Sequence, residues 1–253
     1  MSQIPELMGG RRLSHDVLSD KGFYTTGVGG KVQIFSDFFG NGALPLAAST
    51  GSGASLFVNQ DTSSSGAPTF DHLALADGVY RMKFSSDTNA EKLTLYLGDD
   101  CCIPPTKNPI FEARVKITGT MSADDRIVIG LASARNATLD SIDDHVWFKI
   151  DGGVDASNIL VEGDDNGTTD NNDNDTGKDF TSGTFHTFKI DMSDLSDVKF
   201  YVDGDGCALP EKMDVSGMAA GDLLQPYIEM QKDGGAVEHS VDVDYISVLW
   251  DRS

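Results

Sequence analysis

The chain contains few of the residues on which membrane, nucleic-acid-binding and disulfide-rich proteins depend. Its 253 residues include 3 cysteines, 2 tryptophans and only 19 lysines and arginines. No apolar run approaches the roughly 20 residues that span a bilayer. The 40 acidic residues give a formal charge of −21, which repels phosphate backbones and anionic membrane surfaces. We therefore expect neither a nucleic acid nor a membrane as a partner.

The three cysteines do not indicate a disulfide framework, because their number is odd. Cys101 and Cys102 are neighbours, and a bridge between adjacent cysteines is strained. A bridge from this pair to Cys207 and three reduced thiols both remain open at this point. No Cys/His spacing indicates zinc. The N-terminus has no basic start followed by a continuous apolar segment, so we predict no secretory signal.

Alternating apolar and polar residues predict β-strands through most of the chain. From Phe111 to Ile117 the odd positions are apolar and the even positions are charged, which places one face in the core. The segment Ile127–Leu131 is apolar on both faces and predicts a central, covered strand. Further strands are predicted at 55–58, 79–84, 93–97, 146–150, 185–191, 198–203, 227–230 and 241–248. No competing helical periodicity is present, so the sequence predicts an all-β, two-sheet antiparallel sandwich.

The first 35 residues differ from the remainder in having many glycines and only scattered apolar side chains. Such a segment cannot bury a core of its own. We predict that residues 1–35 form an extended N-terminal arm that docks on a partner or a neighbouring subunit. Arg11, Arg12 and Leu13 are the candidate contacts. Residues 36–253 are predicted to form the sandwich.

The order of strands in the final third of the chain resembles the closing part of concanavalin A-like jelly rolls of the laminin G-like and glucanase-like kinds. The resemblance rests on a Phe-Tyr-Val-Asp-Gly hairpin at 200–204, followed by Asp-Tyr-Ile-Ser-Val at 244–248. It covers about residues 70–250 and implies a jelly-roll sandwich. This fold carries lectins, glycanases, lyases, adhesion modules and viral coat components, so it does not by itself define a function.

An acid-rich segment at residues 164–179 is a candidate calcium site. Alternating Asp and Asn oxygens are the ligands that a hard cation prefers, and Asp173, Asp175 and Asp179 have the best spacing. The segment lacks the Gly and Glu positions of an EF-hand. A solvated hairpin loop without metal is the alternative interpretation, and the overall acidity is equally compatible with solubility or a salty habitat.

Two aromatic residues are candidates for sugar binding. Trp147 and Tyr201 are predicted to offer a stacking platform for a pyranose ring, although aromatic rings also serve to cover a sandwich or a subunit contact. The Glu-x-Asp-x-x-Glu strand motif of laminarinase-like glycanases is absent, and the acidic residues at 140–144 include no glutamate. The sequence therefore predicts that the chain is not an enzyme.

The combination of a Gly-rich arm, an acidic sandwich without a catalytic motif and no secretory signal resembles virion proteins of tailed bacteriophages. That resemblance implies a capsid decoration or cement protein on the outer head surface, which stabilises the shell. Its expected partners are the major capsid protein and further copies of itself, for example in a trimer. It would be synthesised in the host cytoplasm and end in the virion. A calcium-dependent, lectin-like carbohydrate-binding module is the alternative, and a divergent glycanase or polysaccharide lyase is the third hypothesis.

Overall fold

The computed structural model describes residues 30–38, 56–73, 78–166, 170–236 and 238–252. Within these residues, fifteen strands form two antiparallel sheets. The strands are β1 (Lys31–Ser36), β2 (Val58–Asp61), β3 (Thr69–Leu73), β4 (Val79–Lys83), β5 (Glu91–Tyr96), β6 (Ile110–Thr118), β7 (Asp125–Ala132), β8 (Asp144–Asp151), β9 (Asn158–Asp165), β10 (Asp170–Asp179), β11 (Phe185–Asp191), β12 (Lys199–Val202), β13 (Asp205–Gly206), β14 (Gln225–Lys232) and β15 (Ser240–Asp251).

The two sheets form a sandwich, which confirms the predicted fold class. Sheet A has the order β13-β12-β11-β6-β15-β4-β3, with β1 also paired to β15. Sheet B has the order β10-β9-β8-β7-β14-β5-β2. The central pairs of each sheet, β6 with β15 and β7 with β14, join strands that are distant in sequence, as expected of a jelly roll.

The core lies between the inner faces of the two sheets. In β6 the apolar odd positions are all buried, at most 2% exposed, as the alternation predicted. Phe148 of sheet B packs against Phe188 and Phe200 of sheet A, with ring centroids 5.1 and 5.2 Å apart. These tilted contacts bury large apolar areas, which is the main favourable term in folding.

The prediction of a central strand that is covered on both faces is confirmed for β7. Its inner residues Ile127, Ile129 and Leu131 belong to the main core. Its outer residue Val128 belongs to a second apolar cluster on the outer face of sheet B, with Leu139 and the ring of Trp147. A loop therefore covers the outer face of this strand.

The prediction of a loop throughout the acid-rich segment is wrong for Asp170–Asp179, which forms the edge strand β10. Its backbone pairs with β9 through two register shifts. Thr176 is buried and its hydroxyl donates to the carbonyl of Ile159. Asp and Asn are rare in strands because they favour turns. On an edge strand, however, charged side chains are an advantage, since they discourage pairing with other chains.

The boundary of the predicted arm also needs correction. Lys31–Ser36 pairs in register with residues 246–251 of β15, and Ile34 is only 4% exposed. These residues therefore belong to sheet A. Residues 1–29 lie outside the described residues, together with the candidate contacts Arg11, Arg12 and Leu13, and the arm stays a prediction.

The cysteines are free thiols in the structure, so the alternative of a bridge to Cys207 is not realised. Burial raises the pKa of the Cys101 and Cys207 thiols to about 11, and both are protonated at neutral pH. Among the helical segments that the structure describes, none has the length and apolarity to cross a membrane.

Candidate functional site

A row of polar side chains crosses four strands on the outer face of sheet B. The pairing of β8, β7, β14 and β5 sets Asp151 opposite Arg126, Arg126 opposite Gln231, and Gln231 opposite Lys92. Side chains directly opposite one another point to the same face of a sheet. These four residues are called the polar row. It spans three strand spacings, or roughly 14 Å.

The polar row is the floor of a groove. The groove has a volume of about 500 Å³. Its walls are residues 137–140 on one side and Lys149, Asp173 and Asp233 around the remainder. Cationic, carboxylate and amide groups alternate along this surface, so it presents both donors and acceptors of hydrogen bonds.

Lys149 stands between two carboxylates at one end of the groove. Its Nζ lies 2.9 Å from Glu162 Oε2 and 2.8 Å from Asp173 Oδ1. Burial favours the neutral amine, but the two carboxylates outweigh it and raise the pKa of Lys149. Burial likewise opposes the charge of Glu162, while His145 and Lys149 hold the pKa of that carboxyl below its usual range. The pair is therefore ionised at neutral pH.

His145 connects this ion pair to the neighbouring loop. Its Nε2 lies 3.2 Å from Glu162 Oε1, and its Nδ1 lies 3.1 Å from the carbonyl oxygen of Ile142. The imidazole also stacks on Trp147, with ring centroids 3.7 Å apart. Both ring nitrogens thus face oxygen atoms, which fixes the loop against the sheet.

A second buried carboxylate, Glu229, lies on the same outer face beside the polar row, two residues before Gln231 in β14, and is held by several groups. Tyr227 and Thr94 donate hydrogen bonds to its Oε2 at 2.6 and 2.8 Å. Arg135 and Lys92 stand 3.6 and 3.7 Å from its oxygens. Burial and the adjoining carboxylate raise the pKa of Tyr227 far above its ordinary value, so the tyrosine is always a donor here.

The loop at residues 133–143, called the cover loop, closes part of the outer face. Its Leu139 and Ile142 pack in the cluster that contains Trp147, Tyr227 and Tyr96. Trp147 is consequently 1% exposed.

The structure does not bring the two candidate sugar-stacking residues together. Trp147 belongs to β8 in sheet B, whereas Tyr201 belongs to β12 in sheet A. The ring of Tyr201 lies under Lys189, whose Nζ is 5.1 Å from the ring centroid. The two rings therefore cannot form one platform.

The three candidate calcium ligands have separate partners. Asp173 pairs with Lys149, Asp175 Oδ1 accepts from the backbone of Gly177 at 2.7 Å, and Asp179 Oδ1 lies 3.4 Å from the hydroxyl of Ser157. Within the described part of the chain, no three His, Cys, Asp or Glu side chains are grouped in a way that could hold a metal ion.

Sequence reasoning did not identify the groove residues Lys92, Arg126 and Gln231. Each lies at a position of its strand that faces outward. Lys149 carried the clearest signal, because a lysine inside Val-Trp-Phe-Lys-Ile must find a partner if the strand is central. The partners themselves come from strands that are distant in sequence.

Comparisons with known proteins show a fold and no family. No protein-family model and no curated protein sequence matches the chain. Several solved structures are similar. A protein of unknown function from Shewanella oneidensis MR-1, SO2946, has a TM-score of 0.58 at 14% identity, over 99% of this chain and 98% of that one.

Two other similar structures have names that refer to carbohydrates. One comes from work on endo-acting O-glycanases of the human gut microbiota, with a TM-score of 0.55 at 11% identity over 85% of this chain and 98% of that one. The other is the carbohydrate recognition domain of Emp47p, with a TM-score of 0.53 at 14% identity over 83% and 95%. At these identities the similarity establishes the architecture alone, which is the concanavalin A-like jelly roll that the sequence resembled.

Proposed function

We propose that the chain is a carbohydrate-binding module whose binding site is the groove over the polar row. The observation that carries this proposal is the alternation of donors and acceptors along an open groove of about 500 Å³. A sugar hydroxyl donates one hydrogen bond and accepts others, so it matches a surface of this kind. Arg126, Lys92 and Gln231 supply the donors, and Asp151 and Asp140 supply acceptors.

The comparisons support sugars as the first class of ligand to test. The Emp47p domain is described as a carbohydrate recognition domain, and the second neighbour belongs to work on O-glycanases. These activities belong to those proteins. For this chain, sugar binding is supported by the polar side chains that line the groove.

We propose binding without cleavage. A glycosidase needs two carboxyl groups that face each other at about 5 to 9.5 Å. The buried glutamates Glu162 and Glu229 lie on β9 and β14, which are three strand steps apart in sheet B, or about 14 Å. Both are also paired with cations. The groove carboxylates Asp151 and Asp233 lie closer together, but they share Arg126 as their ionic partner. Incubation with a panel of polysaccharides, followed by assays for new reducing ends and unsaturated products, tests this; release of either product contradicts it.

A glycan array probed with the labelled full chain tests the binding. We expect signal from a subset of oligosaccharides and a loss of about tenfold in affinity for Gln231→Ala, the value of one hydrogen bond to a ligand. Gln33→Ala is the matched control, since Gln33 is a half-buried glutamine in β1 of sheet A. Equal losses for both variants, or no signal for the wild-type chain, contradict the proposal.

The lectin-like alternative was predicted to depend on calcium, and this dependence is tested separately from sugar binding. The groove already holds cations in the form of Lys92, Arg126 and Lys149, so the binding proposed here does not need calcium. A calcium site at Asp173, Asp175 and Asp179 stays a prediction. Thermal unfolding with calcium and with a chelator checks it, and identical melting temperatures would argue against the site.

Capsid decoration is the second candidate, and the formal charge of −21 favours it. An acidic domain is repelled by packaged DNA and is tolerated outside a shell. Glycan binding on a capsid exterior is compatible with this role. Cryo-electron microscopy of particles from the natural source checks it: density for the chain at symmetric capsid positions supports it, and its absence from purified particles contradicts it.

A further inference from the structure

The groove contains three cationic side chains and a larger number of carboxylates around them. Its three cations are Lys92, Arg126 and Lys149. Six carboxylates surround them, four in the lining and two beside it on the same face: Asp140, Asp151, Asp173, Asp233, Glu162 and Glu229. We infer, on the basis of the proposed function, that the groove selects neutral glycans and rejects those that carry carboxylate or sulfate groups.

Each cation of the groove is already paired, which is the first reason. Arg126 Nε lies 3.0 Å from Asp151 Oδ2, and its Nη1 lies 3.9 Å from Asp233 Oδ2. Lys149 has two carboxylate partners within 3 Å. An anionic ligand would have to break such a pair and leave a partly buried carboxylate without its counter-charge, which is costly.

Lys92 is engaged in the same way. Its Nζ stands 3.7 Å from the buried Glu229 and donates to the carbonyl oxygen of Ala137 in the cover loop. Moving this lysine toward an anion would uncover Glu229, which is fully buried.

The charge of the whole chain is the second reason. A formal charge of −21 lowers the local concentration of any anion near the surface. A neutral oligosaccharide has no such barrier, and it can bind the paired side chains without breaking their ion pairs, because each of them has more donors or acceptors than its partner uses. The length of the polar row, roughly 14 Å from three strand spacings, suits a ligand of more than one sugar ring.

The test is a gain of binding to anionic sugars. Asp151→Asn with Asp233→Asn removes both partners of Arg126 while keeping the shape of the side chains. Asp151 Oδ1 accepts from the backbone of Gly153 at 2.9 Å, and the asparagine oxygen preserves this bond. Asp197→Asn with Asp205→Asn is the control, because it makes the same change in net charge beside lysines on other parts of the surface.

The probes are neutral β-glucan oligosaccharides and oligogalacturonides of equal length, with a sulfated series as a second anionic set, all measured with the full chain. We expect the wild-type chain and the control to bind only neutral members of the array. The groove variant is expected to gain at least about tenfold in affinity for an anionic series. If it unfolds, Asp140→Asn with Asp233→Asn removes one partner of Arg126 and one further carboxylate of the groove at two exposed positions, and a smaller gain in the same direction is expected.

The outcomes separate the two claims. Wild-type binding to anionic sugars as strong as to neutral ones overturns the inference and leaves the proposed function standing. Neutral binding without any gain in either groove variant overturns the role of the paired cations and therefore the inference. No binding to either series overturns the proposed function itself.

Discussion

Asp144 is a buried carboxyl group of sheet B whose ionised form the fold disfavours. It is 5% exposed, and its Oδ1 has no hydrogen-bond partner among the described residues. Burial, together with the nearby carboxylates of Asp222 and Asp143, raises the pKa of Asp144 to about 6. The folded state therefore binds this proton more tightly than the unfolded state does, and the contribution of Asp144 to stability falls as pH rises between about 4 and 6.

From this we expect Asp144→Asn to raise the free energy of unfolding by about 1 to 2 kcal/mol at neutral pH. The gain should disappear below about pH 4, where the wild-type carboxyl is protonated in both the folded and the unfolded protein. Urea unfolding of the two proteins across this pH range measures the effect. A gain of the same size at every pH would show that the cause is packing and not charge.

Lys149 is expected to be a strong contributor to stability. Lys149→Met leaves the buried carboxylate of Glu162 with only His145 as a side-chain partner, and removing one partner of a buried pair costs about 3 to 5 kcal/mol. Lys199→Met is the matched control, since the side chain of Lys199 is 57% exposed in its pair with Asp197 and such pairs contribute at most about 1 kcal/mol. Chemical denaturation compares the two. Similar losses of unfolding free energy in the two variants would mean that the buried Lys149 pair stabilises the fold no more than the exposed Lys199 pair does.

At the scale of elements, the cover loop decides whether the aromatic cluster on sheet B is dry. Leu139 is 5% exposed and packs in the cluster with Trp147. We expect Leu139→Ala to lower the free energy of unfolding by about 2 to 3 kcal/mol and to shift the tryptophan emission toward longer wavelengths. The exposed Val154, at 60%, provides the control Val154→Ala. Unchanged emission in the Leu139 variant would contradict the covering role.

Strand β1 is expected to stabilise sheet A rather than to act as an arm. Comparing a chain that lacks residues 1–29 with one that lacks residues 1–36 isolates its contribution. The shorter chain loses the pairing with β15 and the buried side chain of Ile34, worth about 2 kcal/mol for the side chain alone. We expect a melting temperature several degrees lower for the shorter chain. Equal melting temperatures would return these residues to the predicted arm.

The strands that the sequence predicted have either a period of two or, as in β7, apolar residues on both faces. In β6, β11 and β15 one face is apolar and the other polar, so the pattern alone assigns both strand and face. Strand β10 has no such pattern, because its pairing with β9 depends on backbone hydrogen bonds that composition does not reveal. The groove was not predicted for a related reason: Asp151, Arg126, Gln231 and Lys92 become neighbours only through the register of four strands.

At the scale of the whole molecule, the outer faces of sheets A and B both carry polar residues but arrange them differently. On the outer face of sheet A, Asp242 is bound by Arg81 and Lys116 at 2.6 and 2.9 Å, and Arg114 lies over the ring of Phe185 at 4.4 Å. These contacts pair charged groups with one another on that face. On the outer face of sheet B, the cover loop and the edge strand β10 lie beside the polar row and form walls of the groove. The asymmetry favours ligand binding on sheet B.

Ionic strength offers a test at this scale. Salt screens charge interactions between the chain and a ligand, but it has little effect on hydrogen bonds to a neutral sugar. We expect the dissociation constant for a neutral oligosaccharide to change less than about twofold between low and high salt, measured by calorimetry. A steep loss of affinity with salt would indicate an anionic ligand held by the cations of the groove.

The central claim is that the groove over the polar row binds a glycan, and a crystal structure of the chain with the strongest neutral oligosaccharide from the array tests it most directly. The account predicts sugar density on Asp151, Arg126, Gln231 and Lys92, beside residues 137–140 of the cover loop. Density on the outer face of sheet A or at the edge of β12, with an empty groove, would contradict it.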